Sequence, residues 1–129
     1  MPKARQLTVS VTDRPGMLGE VASALGEKKV NIRAFTAWVE GGRGSIRVVV
    51  DKPATAKRAM ASHGWETTEE DVLAVTLTDS PGSLGKVANK LGKAGVNIQQ
   101  AYIGSAGAAR RVNVYFGVSD LKAALKAAR

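Results

Sequence analysis

Residues 7–12 alternate strictly, with Leu7, Val9 and Val11 on one side and Thr8, Ser10 and Thr12 on the other. That period of two predicts a half-buried strand. A turn-rich stretch follows, and then Leu18, Val21, Ala22 and Leu25 fall at i, i+3, i+4 and i+7, the stripe of an amphipathic helix. A strand is expected from Asn31 to about Val39. Gly41, Gly42 and Gly44 mark a hairpin, and Ile46, Val48 and Val50 alternate inward on the next strand. Asp51 and Pro53 suit the N-cap and first turn of a second helix with Ala56, Ala59 and Met60 on its core side. His63 and Gly64 close that helix, and Trp65 begins a short strand through Glu70. The order is β-α-β-β-α-β.

The pattern then starts again. Leu73, Val75 and Leu77 repeat the first strand, and Leu84, Val87, Ala88 and Leu91 repeat the helix stripe. The match extends to single residues at an unvarying offset. Asp13-Arg14-Pro15-Gly16-Met17-Leu18-Gly19 returns as Asp79-Ser80-Pro81-Gly82-Ser83-Leu84-Gly85, and Val30-Asn31-Ile32 returns as Val96-Asn97-Ile98. Such fidelity indicates two copies of one supersecondary unit. The second copy continues through Asn97–Ile103, a Gly104–Ala109 hairpin, Val112, Val114 and Phe116, and a helix face of Leu121, Ala124, Leu125 and Ala128. It is β-α-β-β-α, one strand short. In a split βαβ sheet the missing strand would flank Val72–Thr78, so that edge is expected to be covered by the other repeat or by a second subunit.

Composition narrows the function classes. The 129 residues contain no cysteine, which excludes disulfides, thiol catalysis and thiolate metal sites. No apolar run approaches the ~20 residues of a membrane span. The start lacks the apolar core of a signal peptide, so a cytoplasmic protein without membrane contact is expected. The net charge of +8 is scattered, mostly over the first repeat, as Lys28, Lys29, Arg33, Arg43, Arg47, Lys57 and Arg58. A solvated basic surface explains it better than a polyanion-binding block.

The doubled turn has the chemistry of a zwitterion cradle. Pro15 presets φ for a first helical turn, and Gly16 allows close approach to the backbone. Amides near Gly16, Met17 and Leu18 at a helix N-terminus suit a carboxylate. Asp13 suits an ammonium group, and Asn31 offers both donor and acceptor. Each has a purely local alternative. Asp13 and Asp79 could cap their helices, and Asn31 and Asn97 could tie down a loop. Gly19, Gly26 and Gly92 are assigned to close helix–sheet packing, and His63 to a structural role. Trp38, Trp65, Tyr102, Tyr115 and Phe116 are assigned to packing or interfaces.

A strand, Asp-x-Pro-Gly-x-Leu-Gly, an amphipathic helix and then Val-Asn-Ile, present twice, resemble the ACT domain family of amino-acid-binding modules. The resemblance implies an α+β fold. It implies two ferredoxin-like ACT units in tandem (βαββαβ then βαββα), at residues 1–70 and 71–129, with antiparallel sheets and helices on one face. It implies a free-standing, non-catalytic regulatory protein that forms a homodimer through sheet edges or helix faces. A small-molecule amino acid would be bound where units meet, without cofactor or metal, and its presence signalled to an enzyme of amino-acid metabolism. The turn of one unit and the Asn of its neighbour would hold the ligand. That set is Asp13, Arg14, Pro15, Gly16, Met17, Leu18, Asn31 and Ile32, with Asp79, Ser80, Pro81, Gly82, Ser83, Leu84, Asn97 and Ile98 in the second copy. Some ACT domains carry a polar residue two places before the turn acid, where this chain has Val11 and Leu77.

Arg14 against Ser80, and Met17 against Ser83, make the two sites inequivalent. Nucleic-acid binding is the runner-up, but strand 45–50 carries no aromatic for a stacking platform. A third possibility is an ACT protein that serves only in oligomerisation. Arg14 and Asn31 superficially suit acyl-phosphate hydrolysis, yet no accompanying anion loop, nucleophile–base pair or metal cluster supports an enzyme.

Overall fold

The computed structural model describes residues 3–129. In chain order the elements are β1 (Lys3–Thr12), α1 (Met17–Glu27), β2 (Ile32–Glu40), β3 (Arg43–Val50), α2 (Pro53–Ser62), β4 (Glu66–Thr78), α3 (Ser83–Lys93), β5 (Ile98–Ser105), β6 (Arg111–Val118) and α4 (Leu121–Ala127). The strand–turn–helix rhythm of the two repeats is that of tandem ferredoxin-like units. Two compact units emerge. One is Arg5–Glu70, and the other is Asp71–Arg129 together with the start of β1 through Ala4.

In the first unit β3 is central, antiparallel to both neighbours, with Leu7 opposite Val48 and Phe35 opposite Val48 on the far side. Facing residues share a side of the sheet, so Leu7, Val9, Val11, Ile46 and Val48 form one apolar surface. α1 and α2 cover it, and Val21, Leu25, Ala56, Ala59 and Met60 complete the core. In the second unit β6 is central, with Leu73 and Ala101 both opposite Phe116. Its core is Leu73, Val87, Leu91, Val96, Val114, Phe116 and Ala124. Both units carry a register irregularity at the same repeat position, Ile32/Ala34 and Ile98/Gln100.

Three helices end in the same way. Lys29 N–H donates to the Gly26 carbonyl at 3.0 Å and Val30 N–H to that of Leu25 at 3.0 Å. Gly64 and Trp65 repeat this on Ala61 and Met60, and Gly95 and Val96 on Gly92 and Leu91. These are Schellman caps, which need a left-handed residue. Gly64 and Gly95 take it at φ 75°, whereas Lys29 is forced to φ 62°.

Several expectations need correction. The short strand beginning at Trp65 and the strand at 73–78 are one continuous strand, β4, because no turn residue interrupts Glu66–Thr78. Leu18 and Leu84 are 44% and 48% exposed, so the buried stripe of α1 is Met17, Val21, Ala24 and Leu25, rotated from the expected one. Lys52, not Asp51, is the N-cap of α2, although Pro53 does open that helix. Gly19, Gly26 and Gly92 do not mediate helix–sheet packing, since a Cβ added at any of them would meet nothing within 4 Å.

Candidate functional site

The repeated turn is a type II β-turn leading into a helix. Met17 N–H reaches the Arg14 carbonyl at 3.4 Å, Pro15 takes the first central position, and Gly16 the second at φ 90° and ψ −7°. Ser80–Ser83 does the same, with an N–H···O distance of 3.3 Å and Gly82 at φ 86°. Pro15 therefore stands before the helix and not in its first turn. Gly16 is required by its positive φ, and its Cα faces open space. The Met17 amide is turned back on the chain by this bond. The Leu18 and Gly19 amides find no partner among the described residues, so these are the donors left at the helix mouth.

Neither Asp13 nor Asp79 caps its helix through its side chain. Both are exposed, at the ends of β1 and β4, and their carboxylates have no hydrogen-bond or ion-pair partner among the described residues. Arg14 instead turns to Glu20, at 2.7 Å. Its counterpart Ser80 meets Ser83, hydroxyl to hydroxyl, at 2.9 Å. The two turns thus differ in charge as well as size.

Asn31 and Asn97 are fixed through their backbones. Asn31 N–H donates to Asp51 Oδ1 at 2.9 Å, while Asp51 N–H donates back to the Asn31 carbonyl at 3.2 Å. Asn97 N–H donates to Ser119 Oγ at 3.0 Å, and Ser119 N–H returns to Asn97 at 2.9 Å. This clamp, absent from the sequence-based expectations, leaves the exposed amide side chains of Asn31 and Asn97 unengaged. Its signal was a polar residue placed alike after β3 and β6. Ile32 and Ile98 are half-buried and pack on their respective cores.

Within a unit the predicted residues are not all brought together. Thr12 pairs with Arg43 at one end of the sheet, and Ile32 pairs with Val50 at the other. The turn and the asparagine are therefore separated by the length of α1, whose 11 residues span about 16 Å. Asp13 and Asn31 cannot grip one small molecule inside one unit.

Beside the first turn lies a cleft of about 240 Å³ between the N-terminal end of α1 and the ends of β1, β2 and β3. Val11, Met17, Leu18, Ala37, Val39 and Ile46 give it an apolar wall, and Asp13 and Arg14 stand at the turn that borders it. Gly44 also lines it, and any side chain there would crowd that wall, because a Cβ would come within 3.2 Å of Val11 Cγ2. The Trp38 side chain stands on the opposite face of the sheet, with Ser10 and Ser45, held by a bond from Nε1 to Glu40 Oε1 at 2.9 Å and by the Arg47 guanidinium 4.5 Å over its ring. On the other side of the turn a more polar cleft includes Ser10, Thr12, Arg14, Arg43 and Glu66. Tyr115, the best-placed aromatic for stacking a base, is 3% exposed and bonded to Asn113 Nδ2 at 3.3 Å. No group of three or more His, Cys, Asp or Glu suited to a metal occurs among the described residues. No helix among them is long and apolar enough to cross a membrane.

Residues 5–61 match the family model of the ACT domain. The chain is similar in structure to protein BT0572 from Bacteroides thetaiotaomicron, at 25% identity and a TM-score of 0.87, with 98% of this chain and 86% of that one covered. It is also similar to the ligand-free regulatory subunit of aspartate kinase from Thermus thermophilus, at 21% identity and a TM-score of 0.68 over 96% and 89% of the two chains. The regulatory subunit from Thermus flavus gives 22% and 0.66, over 99% and 91%. At these identities the two kinase subunits speak for the fold. No curated protein matches the sequence.

Proposed function

Because residues 5–61 form an ACT domain, we propose that this chain is a non-catalytic regulatory protein that binds a free amino acid and passes the signal to an enzyme of amino-acid metabolism. One observation carries the reading. An uncommitted carboxylate, Asp13, borders the same cleft as Leu18, whose amide, like that of Gly19, has no acceptor among the described residues. An α-amino acid presents the complementary pair, an ammonium and a carboxylate a short distance apart.

The separation of turn and asparagine supports a homodimer, in which the Asn side chain of one copy completes the turn of another. Chains of this fold serve as regulatory subunits of aspartate kinase, which supports a role beside an enzyme and not as one. The work is placed in the cytoplasm, where free amino acids are used.

Thermal unfolding in the presence of each standard amino acid tests the reading, since a ligand of the folded state raises the melting temperature with concentration. At least one amino acid should do so at millimolar concentration, and Asp13→Asn should remove the shift. If none does, the chain serves assembly alone.

A further inference from the structure

We propose that the first unit holds the working site and that its ligand is an amino acid with an uncharged, apolar side chain of about leucine or methionine size, seated in the cleft that Gly44 lines. This rests on the amino-acid-binding reading above and adds to it the ligand class and the unit that binds.

The comparison of the two repeats carries the inference. In the first unit Gly44 faces Val11 across β1 and Val39 across β2. At the same register in the second unit Val112 faces Leu77 across β4 and Ser105 across β5. Val112 and Leu77 both pack on the second core, so a valine side chain stands there where Gly44 has none. A further exchange changes the same wall, as Ser83 replaces Met17. The first unit therefore has an apolar cleft beside its turn, and the second has lost the glycine and the thioether that line it.

Size and charge select the occupant. A cleft of about 240 Å³ lies below the ~300–1,000 Å³ of drug-sized sites and suits one side chain. Its charged members are Asp13 and Arg14, both at the turn. Asp13 is assigned to the ligand's ammonium, and Arg14 is already paired with Glu20 at 2.7 Å. A lysine, aspartate or glutamate side chain would enter without a counter-ion, which is costly in an apolar wall. Each methylene buried should raise affinity about fourfold.

Isothermal titration of the full chain with leucine, methionine, alanine, serine, aspartate and lysine tests this. Leucine or methionine should bind at one equivalent per chain and at least tenfold more tightly than alanine. Gly44→Ala, checked for folding by its melting curve, should weaken leucine or methionine at least tenfold. Val112→Ala should leave that affinity within about twofold. Tightest binding by serine, aspartate or lysine, two equivalents per chain, or an unaltered affinity in folded Gly44→Ala would overturn the inference and leave amino-acid binding standing. Should Gly44→Ala fail to fold, the ligand series on the unmodified chain still decides the matter. No binding by any of the six would overturn this inference, and the thermal scan over every standard amino acid decides whether amino-acid binding itself falls with it.

Discussion

Two glycines three residues apart should respond to alanine with opposite signs. Gly16 sits at φ 90°, where an L-residue pays roughly 1–2 kcal/mol for its left-handed backbone. Nothing lies within 4 Å of the Cβ it would gain, so no packing term offsets or adds to that cost. Gly19 lies inside α1 at an ordinary helical conformation, and its added Cβ likewise meets nothing. There alanine removes the helix penalty of glycine and should stabilise by about 0.8–1 kcal/mol. The two variants should therefore differ by roughly 2–3 kcal/mol, a sum of those two effects. Urea unfolding with a common m-value measures the difference as a shift in midpoint. Gly82→Ala and Gly85→Ala repeat the experiment in the second unit, with Gly82 at φ 86°. A neutral Gly16→Ala would refute the assignment of a type II turn. A destabilising Gly19→Ala would mean that another surface approaches that side of α1 in solution.

Three further outcomes follow from local geometry. Lys29→Gly should stabilise by about 1 kcal/mol, because the C-terminal cap of α1 holds a side chain at φ 62° where the equivalent caps have glycine; chemical denaturation reads the gain. Asp51→Ala should cost about 1 kcal/mol by orphaning the Asn31 amide, and hydrogen exchange at Asn31 should accelerate, while α2, which Asp51 does not cap, keeps its protection. Glu69 accepts from Lys57 at 2.8 Å and from Arg5 at 2.7 Å, and these bonds, that from Lys57 foremost, lower its pKa below the ordinary glutamate value. Its stabilising contribution is therefore complete above the unfolded carboxylate value of about 4.3 and fades as pH falls through the lower folded value. Glu69→Gln should make the acid limb of the stability profile shallower, and a Glu69 carboxyl titrating at or above the unfolded value would contradict this.

The repeats were legible because both periodicities are clean: Leu7, Val9 and Val11 alternate, and Val21 and Leu25 keep helical spacing on the buried side. Where the reading slipped, two patterns competed. Leu18 fits the helical stripe by spacing, yet it falls on the side facing edge strand β2, which the helices do not cover, and stays exposed. Asp51 before Pro53 looks like a cap, but the strand end beside it offered the Asn31 amide at 2.9 Å. Trp65 looked like a strand start because the Schellman cap that engages it is invisible to composition. The turn residues themselves could be named in advance, since Pro-Gly before a helix admits few geometries. What could not be named was the cleft. Gly44 of β3 lines it, and the contrast with Val112 appears only once β3 and β6 are compared by register.

The seam between the repeats has a consequence for anyone dissecting the molecule. The chain crosses from one unit to the other in the middle of β4, and the second unit also draws on the N-terminal end of β1, where Lys3 meets Asp71 at 3.6 Å. No spacer exists at which to cut. A fragment beginning at Asp71 would forfeit a stretch of polypeptide that lies earlier in the chain, so truncation will not release that unit whole, and a rearranged order of coding segments is the practical route to studying it alone.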